Sequence, residues 1–207
     1  MLLTIHSVLR RLALAAALLA GGGAASAGTI HVAIDTAGLG AASGYLDMQL
    51  SAGVGVPLAT AVISNLVGFD SGAYIDSWGV SAVNGGYGFR NDVSNDLFHA
   101  VTFGGVLSFD LTFSGDPDPL TRYVSHFVVS AFEDNIAPLG SYNAATGALA
   151  DFSWTPGLSA QQAGTIGVDI SDARVAVAVP EPATWLMMGL GLLAMTAAAR
   201  RRRGMDA

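Results

Sequence analysis

Between residues 28 and 179 the dominant pattern is an alternation of apolar and polar positions with a period of two. In Leu107-Ser108-Phe109-Asp110-Leu111-Thr112-Phe113 the odd positions are apolar and the even ones polar. That is a strand with one packed face and one wet face. The same reading predicts strands over 29–34, 44–50, 59–66, 77–83, 98–103, 106–114, 123–132, 148–154 and 173–179. Turn signals punctuate the runs at Asn84-Gly85-Gly86, Gly104-Gly105 and Gly115-Asp116-Pro117-Asp118-Pro119. Phe103-Gly104-Gly105-Val106 predicts a tight hairpin. No apolar stripe at helical spacing is sustained, and residues 158–162 predict one helical turn at most. No internal repeat recurs at a fixed period, which argues against a solenoid or propeller. The expected fold is all-β: an antiparallel, jelly-roll-like β-sandwich over residues 28–178.

The pattern changes at both ends. Near the start, Arg10 and Arg11 precede a short apolar run over 12–20, and Ala25-Ser26-Ala27 offers small residues at Ala25 and Ala27. These are the three parts of a secretory signal peptide (1–27), cleaved after Ala27 so that Gly28 begins the mature chain. The run is too short to span a bilayer comfortably. Near the other end, Val179-Pro180-Glu181-Pro182 leads into an uncharged apolar run of 17 residues, 183–199, closed by Arg200, Arg201, Arg202 and Arg203. The run predicts a short transmembrane helix, and the four arginines a stop-transfer that fixes their side in the cytoplasm. Trp185 suits the outer interfacial belt. Pro180 and Pro182 break any helix entering from the ectodomain and hold the segment extended, where a processing enzyme can grip it.

The 207-residue chain is 52% hydrophobic, a figure inflated by the two terminal runs. Charge is just as uneven. Lysine is absent, and six of the nine arginines lie at the ends, leaving Arg90, Arg122 and Arg174 against fourteen acids between 28 and 179. That region is therefore formally at −11, more acidic than the −7 of the whole chain. Such a surface repels phosphate backbones, excludes nucleic acid as a natural partner, and tolerates cations or neutral sugars. Without cysteine the fold has no disulfides, and neither a thiol nucleophile nor a cysteine zinc site is available.

Residues 179–203 resemble a PEP-CTERM sorting signal, with Pro180, Glu181 and Pro182 as the motif, 183–199 as the transmembrane stretch and Arg200 to Arg203 as the basic cluster. The resemblance implies an exosortase as partner, an integral-membrane cysteine protease or transpeptidase. It would read the motif as substrate and remove the tail at the outer face of the inner membrane of a Gram-negative bacterium. It further implies a transient inner-membrane anchor, then a place in the cell envelope, outer surface or extracellular matrix, beside exopolysaccharide and biofilm formation. Residues 30–36 and 43–50 loosely resemble an uncharacterised ectodomain type found among PEP-CTERM proteins, which implies no activity.

Candidate chemistry in the ectodomain is sparse. His31, His99 and His126 lie in strand patterns and form no His-x-His or His-Glu-x-x-His set. No Gly-x-Ser-x-Gly elbow marks a nucleophile. No catalytic residue, metal site or cofactor is predicted, and the expectation is a non-enzymatic protein. Acidic turns at Asp116 and Asp118, at Glu133-Asp134-Asn135 and at Asn91-Asp92-Val93-Ser94-Asn95-Asp96 leave calcium open, although none follows the twelve-residue loop pattern. Tyr74, Trp78, Tyr87, Phe89 and Trp154 are candidates for stacking on sugars, against the competing role of core filling. The alternative function is therefore a glycan-binding module, with or without calcium.

Overall fold

The computed structural model describes residues 28–178 except Ala52, Asn84, Thr121, Arg122 and Gln161. The predicted signal peptide with Ala25 and Ala27, the motif Pro180-Glu181-Pro182, the transmembrane run and Arg200 to Arg203 lie outside the described residues. Among the described residues there are twelve strands and no helix, hence no helix long and apolar enough to cross a membrane.

The strands are β1 (Thr29–Asp35), β2 (Ser43–Leu50), β3 (Ala59–Val67), β4 (Ile75–Trp78), β5 (Ser81–Val83), β6 (Gly86–Arg90), β7 (Asp96–Thr102), β8 (Val106–Gly115), β9 (Ser125–Glu133), β10 (Ala150–Thr155), β11 (Thr165–Ile170) and β12 (Val175–Ala178). They form two six-stranded antiparallel sheets, β12-β1-β8-β3-β6-β5 and β11-β10-β9-β2-β7-β4. Period-two patterning explains the layering. On β8, Leu107, Phe109, Leu111 and Phe113 are buried; on β9 of the other sheet, Phe127, Val129 and Ala131 are buried opposite them. The layers meet through rings: Phe127 packs edge-on against Phe89 at 5.1 Å and Phe113 at 6.5 Å, while Trp154 stacks on Phe113.

Two buried asparagines tie the layers together. Asn95 accepts from the Leu50 backbone N–H and donates to the carbonyls of Leu50, Arg90 and Val93. It thus joins β2 of one sheet to the end of β6 in the other. Asn91 accepts from Ala59 N–H and donates to the Pro57 carbonyl and, across the layers, to the Ser125 hydroxyl of β9. Asn95→Ala would leave several buried backbone groups without partners. The expected cost is about 2–3 kcal/mol of unfolding free energy, read by chemical denaturation.

Three expectations are corrected. The single strand over 77–83 is two strands, β4 and β5, in different sheets. The break falls at Gly79, whose φ of 64° and close approach to the Ser94 carbonyl exclude a side chain. The turn at Gly104-Gly105 does not make a hairpin: β7 and β8 belong to different sheets, so it carries the chain across the core. Thr36 holds this crossing, its hydroxyl donating to the Gly105 carbonyl and accepting from the Gly104 N–H. Two strands, β6 and β11, were not predicted. Where 158–162 predicted one helical turn at most, Gln162 N–H donates to the Ser159 carbonyl and no helix is found among the described residues.

Candidate functional site

The alternation that buries Leu46 and Met48 on β2 turns Tyr45, Asp47 and Gln49 to the outer face of the second sheet. Pairing sets Asp47 opposite Phe98 of β7, and Phe98 opposite Asp76 of β4. Trp78 lies opposite Asp96, and Tyr45 opposite Phe132 of β9. Register thus gathers one aromatic and acidic patch from four strands. Phe98 stacks on Phe132 at 5.8 Å and lies 6.0 Å from Tyr45. Trp78 is 72% exposed on the edge strand, and Tyr74 just before it is 66% exposed. A hollow of about 350 Å3 opens here, lined by Asp76, Ser77, Trp78, Asp96, Phe98 and Ile136.

Asp47, only 7% exposed, sits beneath this patch. Burial, and then the neighbouring Asp96 carboxyl, push its pKa up to about 8, against the opposing amide of Gln49. At neutral pH Asp47 therefore keeps its proton. With both carboxyls ionised, Asp96 Oδ1 would be buried without a hydrogen-bond partner; the proton on Asp47 supplies the donor. Two carboxyl groups in hydrogen-bond contact leave no room for a sugar and a water between them. Chemically they hold one proton, and of the two only Asp96 lines the hollow.

The three histidines separate. His31 Nδ1 lies 2.8 Å from Asp110 on the outer face of the first sheet. The Asn65 amide and then His31 hold the Asp110 carboxyl below the ordinary carboxylate range. His126 Nδ1 lies 3.0 Å from both Asp151 oxygens on the second sheet. No serine hydroxyl bonds to either imidazole among the described residues. His99 points inward and is 2% exposed.

The acidic turns have structural tasks. Asp118 is buried and accepts from the N–H groups of Leu120 and Tyr123. Asn135 caps its own turn by accepting from Ala137 N–H, and Asp134 accepts from the Ser43 hydroxyl. Among the described residues no group of three or more His, Asp or Glu is arranged to hold a metal ion. The aromatic candidates also divide: Phe89 and Trp154 belong to the core, Tyr74 and Trp78 are exposed at the outer face, and Tyr87 lines a cavity at one end of the layers. Asp47, Asp96, Phe98, Tyr45 and Phe132 were not singled out from the sequence. Their shared face depends on cross-strand register, which no local motif encodes.

The remaining site lies where the described chain ends. β12 is a four-residue edge strand, and its last residue, Ala178, pairs with His31 of β1. Residues 178–203 match the family model of the PEP-CTERM protein-sorting motif. The chain carries a PEP-CTERM sorting signal. Such a signal implies an exosortase as processing partner and membrane-associated sorting of an exported protein to the cell envelope. In the sequence only Val179 separates the end of β12 from Pro180, the first residue of the PEP-CTERM motif. Antiparallel pairing of β12 with β1 sets Ala178, the last described residue, opposite His31, near the start of the described chain. No curated protein and no solved structure matches the chain.

Proposed function

We propose that this chain is a non-enzymatic protein of the envelope or extracellular matrix of a Gram-negative bacterium. An exosortase removes its tail, and the β-domain then serves in exopolysaccharide or biofilm. The sorting signal at 178–203 is the observation that carries this reading. Deleting the host's exosortase should leave the chain at precursor mass in the inner membrane, whereas unchanged processing would refute the reading.

The domain is best read as a jelly-roll-like sandwich. The order β1-β8-β3-β6 in one sheet and β2-β7-β4 in the other supports this reading, with β9 to β12 added beside β2 and β1; β5 departs from a double Greek key by pairing with β6 instead of β4. A glycan-binding role is favoured by one feature, the exposed Trp78 flanked by Asp76 and Asp96 over a hollow. An indole face stacks on the apolar face of a sugar ring while carboxylates accept from its hydroxyls. Trp78→Ala in the full chain is expected to weaken retention on the host's exopolysaccharide about tenfold in affinity electrophoresis. Repeating the run with a chelator reports whether calcium assists. Equal retention of wild type and variant would remove the glycan role from this face.

A further inference from the structure

The chain crosses between sheets near His99, and a cavity of about 330 Å3 opens there. It is lined by Leu66 of β3, the Phe69-Asp70-Ser71 connection, Ala82 of β5, Tyr87 of β6 and His99 of β7. It lies on the inner side of β7, whereas the Trp78 hollow lies on the outer side, so the two sites are separate.

His99 is the unexplained group here. Its Nδ1 is 2.8 Å from the Ala100 carbonyl oxygen. A carbonyl only accepts, so Nδ1 carries the hydrogen and the neutral ring keeps its lone pair on Nε2. No described residue donates to Nε2, and this nitrogen keeps some accessible surface although the residue as a whole is almost wholly buried. The ring is fixed in place by Phe69 and Tyr87, which meet it edge-on at 5.1 and 6.3 Å. A buried imidazole held in one tautomer, with its acceptor nitrogen unspent and a cavity beside it, is a preformed recognition group.

The rest of the lining narrows the ligand. Asp70 adds acceptor oxygens, one of them already taken by the Gly72 N–H. Leu66, Phe69, Ala82 and Tyr87 supply an apolar wall, and no lysine or arginine lines the cavity. The complement is a small, uncharged molecule rich in hydroxyl donors with one apolar face. The volume, at the small end for ligand sites, suits one ring rather than a length of polymer. We propose that this cavity binds a single pyranose ring, with His99 Nε2 and Asp70 accepting from its hydroxyls. It is thus an end-on sugar site independent of the Trp78 face.

The test uses the full chain in detergent and three free probes, the methyl pyranosides of glucose, galactose and N-acetylglucosamine. Saturation-transfer NMR reads binding, and the His99 imidazole 15N resonances read its site. At least one pyranoside is expected to bind with millimolar affinity and to shift the Nε2 resonance. His99→Phe removes the acceptor while keeping ring bulk, and is expected to weaken binding at least about tenfold. His99→Phe also frees the Ala100 carbonyl, so Ala82→Phe is the second variant. Ala82 lies on an exposed strand outside the core, so a ring there would fill the cavity without displacing buried side chains. Ala82→Phe should abolish binding, whereas Trp78→Ala should leave it unchanged. Silence from all three pyranosides would overturn the proposal, as would binding that survives Ala82→Phe. Preferential binding of spermidine, sensitive to Ala82→Phe, would overturn the sugar assignment in favour of a cationic ligand.

Discussion

Replacing Pro180, Glu181 and Pro182 together by alanine is expected to leave nearly all of the chain uncut in the inner membrane. The reason is conformational as well as chemical. β12 ends at Ala178, and only Val179 precedes the motif. The prolines keep the preceding residues out of helical geometry and cannot themselves continue a helix. With alanines in their place, the helix predicted for the apolar run could extend back through the motif, and the extended conformation that the prolines favour would be lost. The glutamate, the one charge between the sheet and the apolar run, goes with it. The folded domain should be unaffected, because the three substitutions fall after the last strand, β12. Cell fractionation with immunoblotting reads the outcome: a membrane-bound band at precursor size for the variant, beside the shorter wild-type form. Processing at the wild-type rate would mean that the motif is not what the enzyme reads.

Asp47→Asn is expected to make the domain more stable at alkaline pH and little changed in acid. Folding raises the Asp47 pKa from 3.8 to about 8, so the folded state holds a proton that the unfolded chain has given up. This contribution is fully present below the unfolded value, declines on the order of 1 kcal/mol per pH unit between the two values, and is gone above the folded one. Asparagine donates to Asp96 at every pH and ionises at none. Denaturation at about pH 5 and about pH 9 should show a variant advantage that grows with pH, reaching a few kcal/mol. A wild-type-minus-variant difference that is the same at both pH values would show that Asp47 ionises normally.

What could be read along the chain was local, and what could not depended on pairing. The alternation of Leu107 to Phe113 located β8 and its buried face, and the terminal patterns identified the sorting signal without any fold. The strand β6 was hidden because its Gly-Tyr-Gly-Phe-Arg sequence reads as a continuation of the Asn84-Gly85-Gly86 turn. Its Phe89 nevertheless lies at the centre of the core. The strand β11 escaped because it is an edge strand with Val168 and Ile170 partly exposed, so no buried face marks it. The Gly104-Gly105 turn was placed correctly, but a tight turn does not say whether its strands pair with each other or with strands far away. The same limit concealed Asp47 and Asp96, 49 positions apart in the chain yet in contact across β2 and β7. A candidate face built from Tyr45, Phe98, Phe132 and Trp78 is a property of register, and register is set by the whole sheet.

The central claim, that the tail is a temporary membrane anchor removed at its PEP-CTERM motif, is tested most directly by the intact mass of the protein isolated from its native host. The account predicts a mature chain that begins at Gly28, keeps β12 and has lost residues 185–207. A mature form that still carries Trp185 to Arg203 would contradict it.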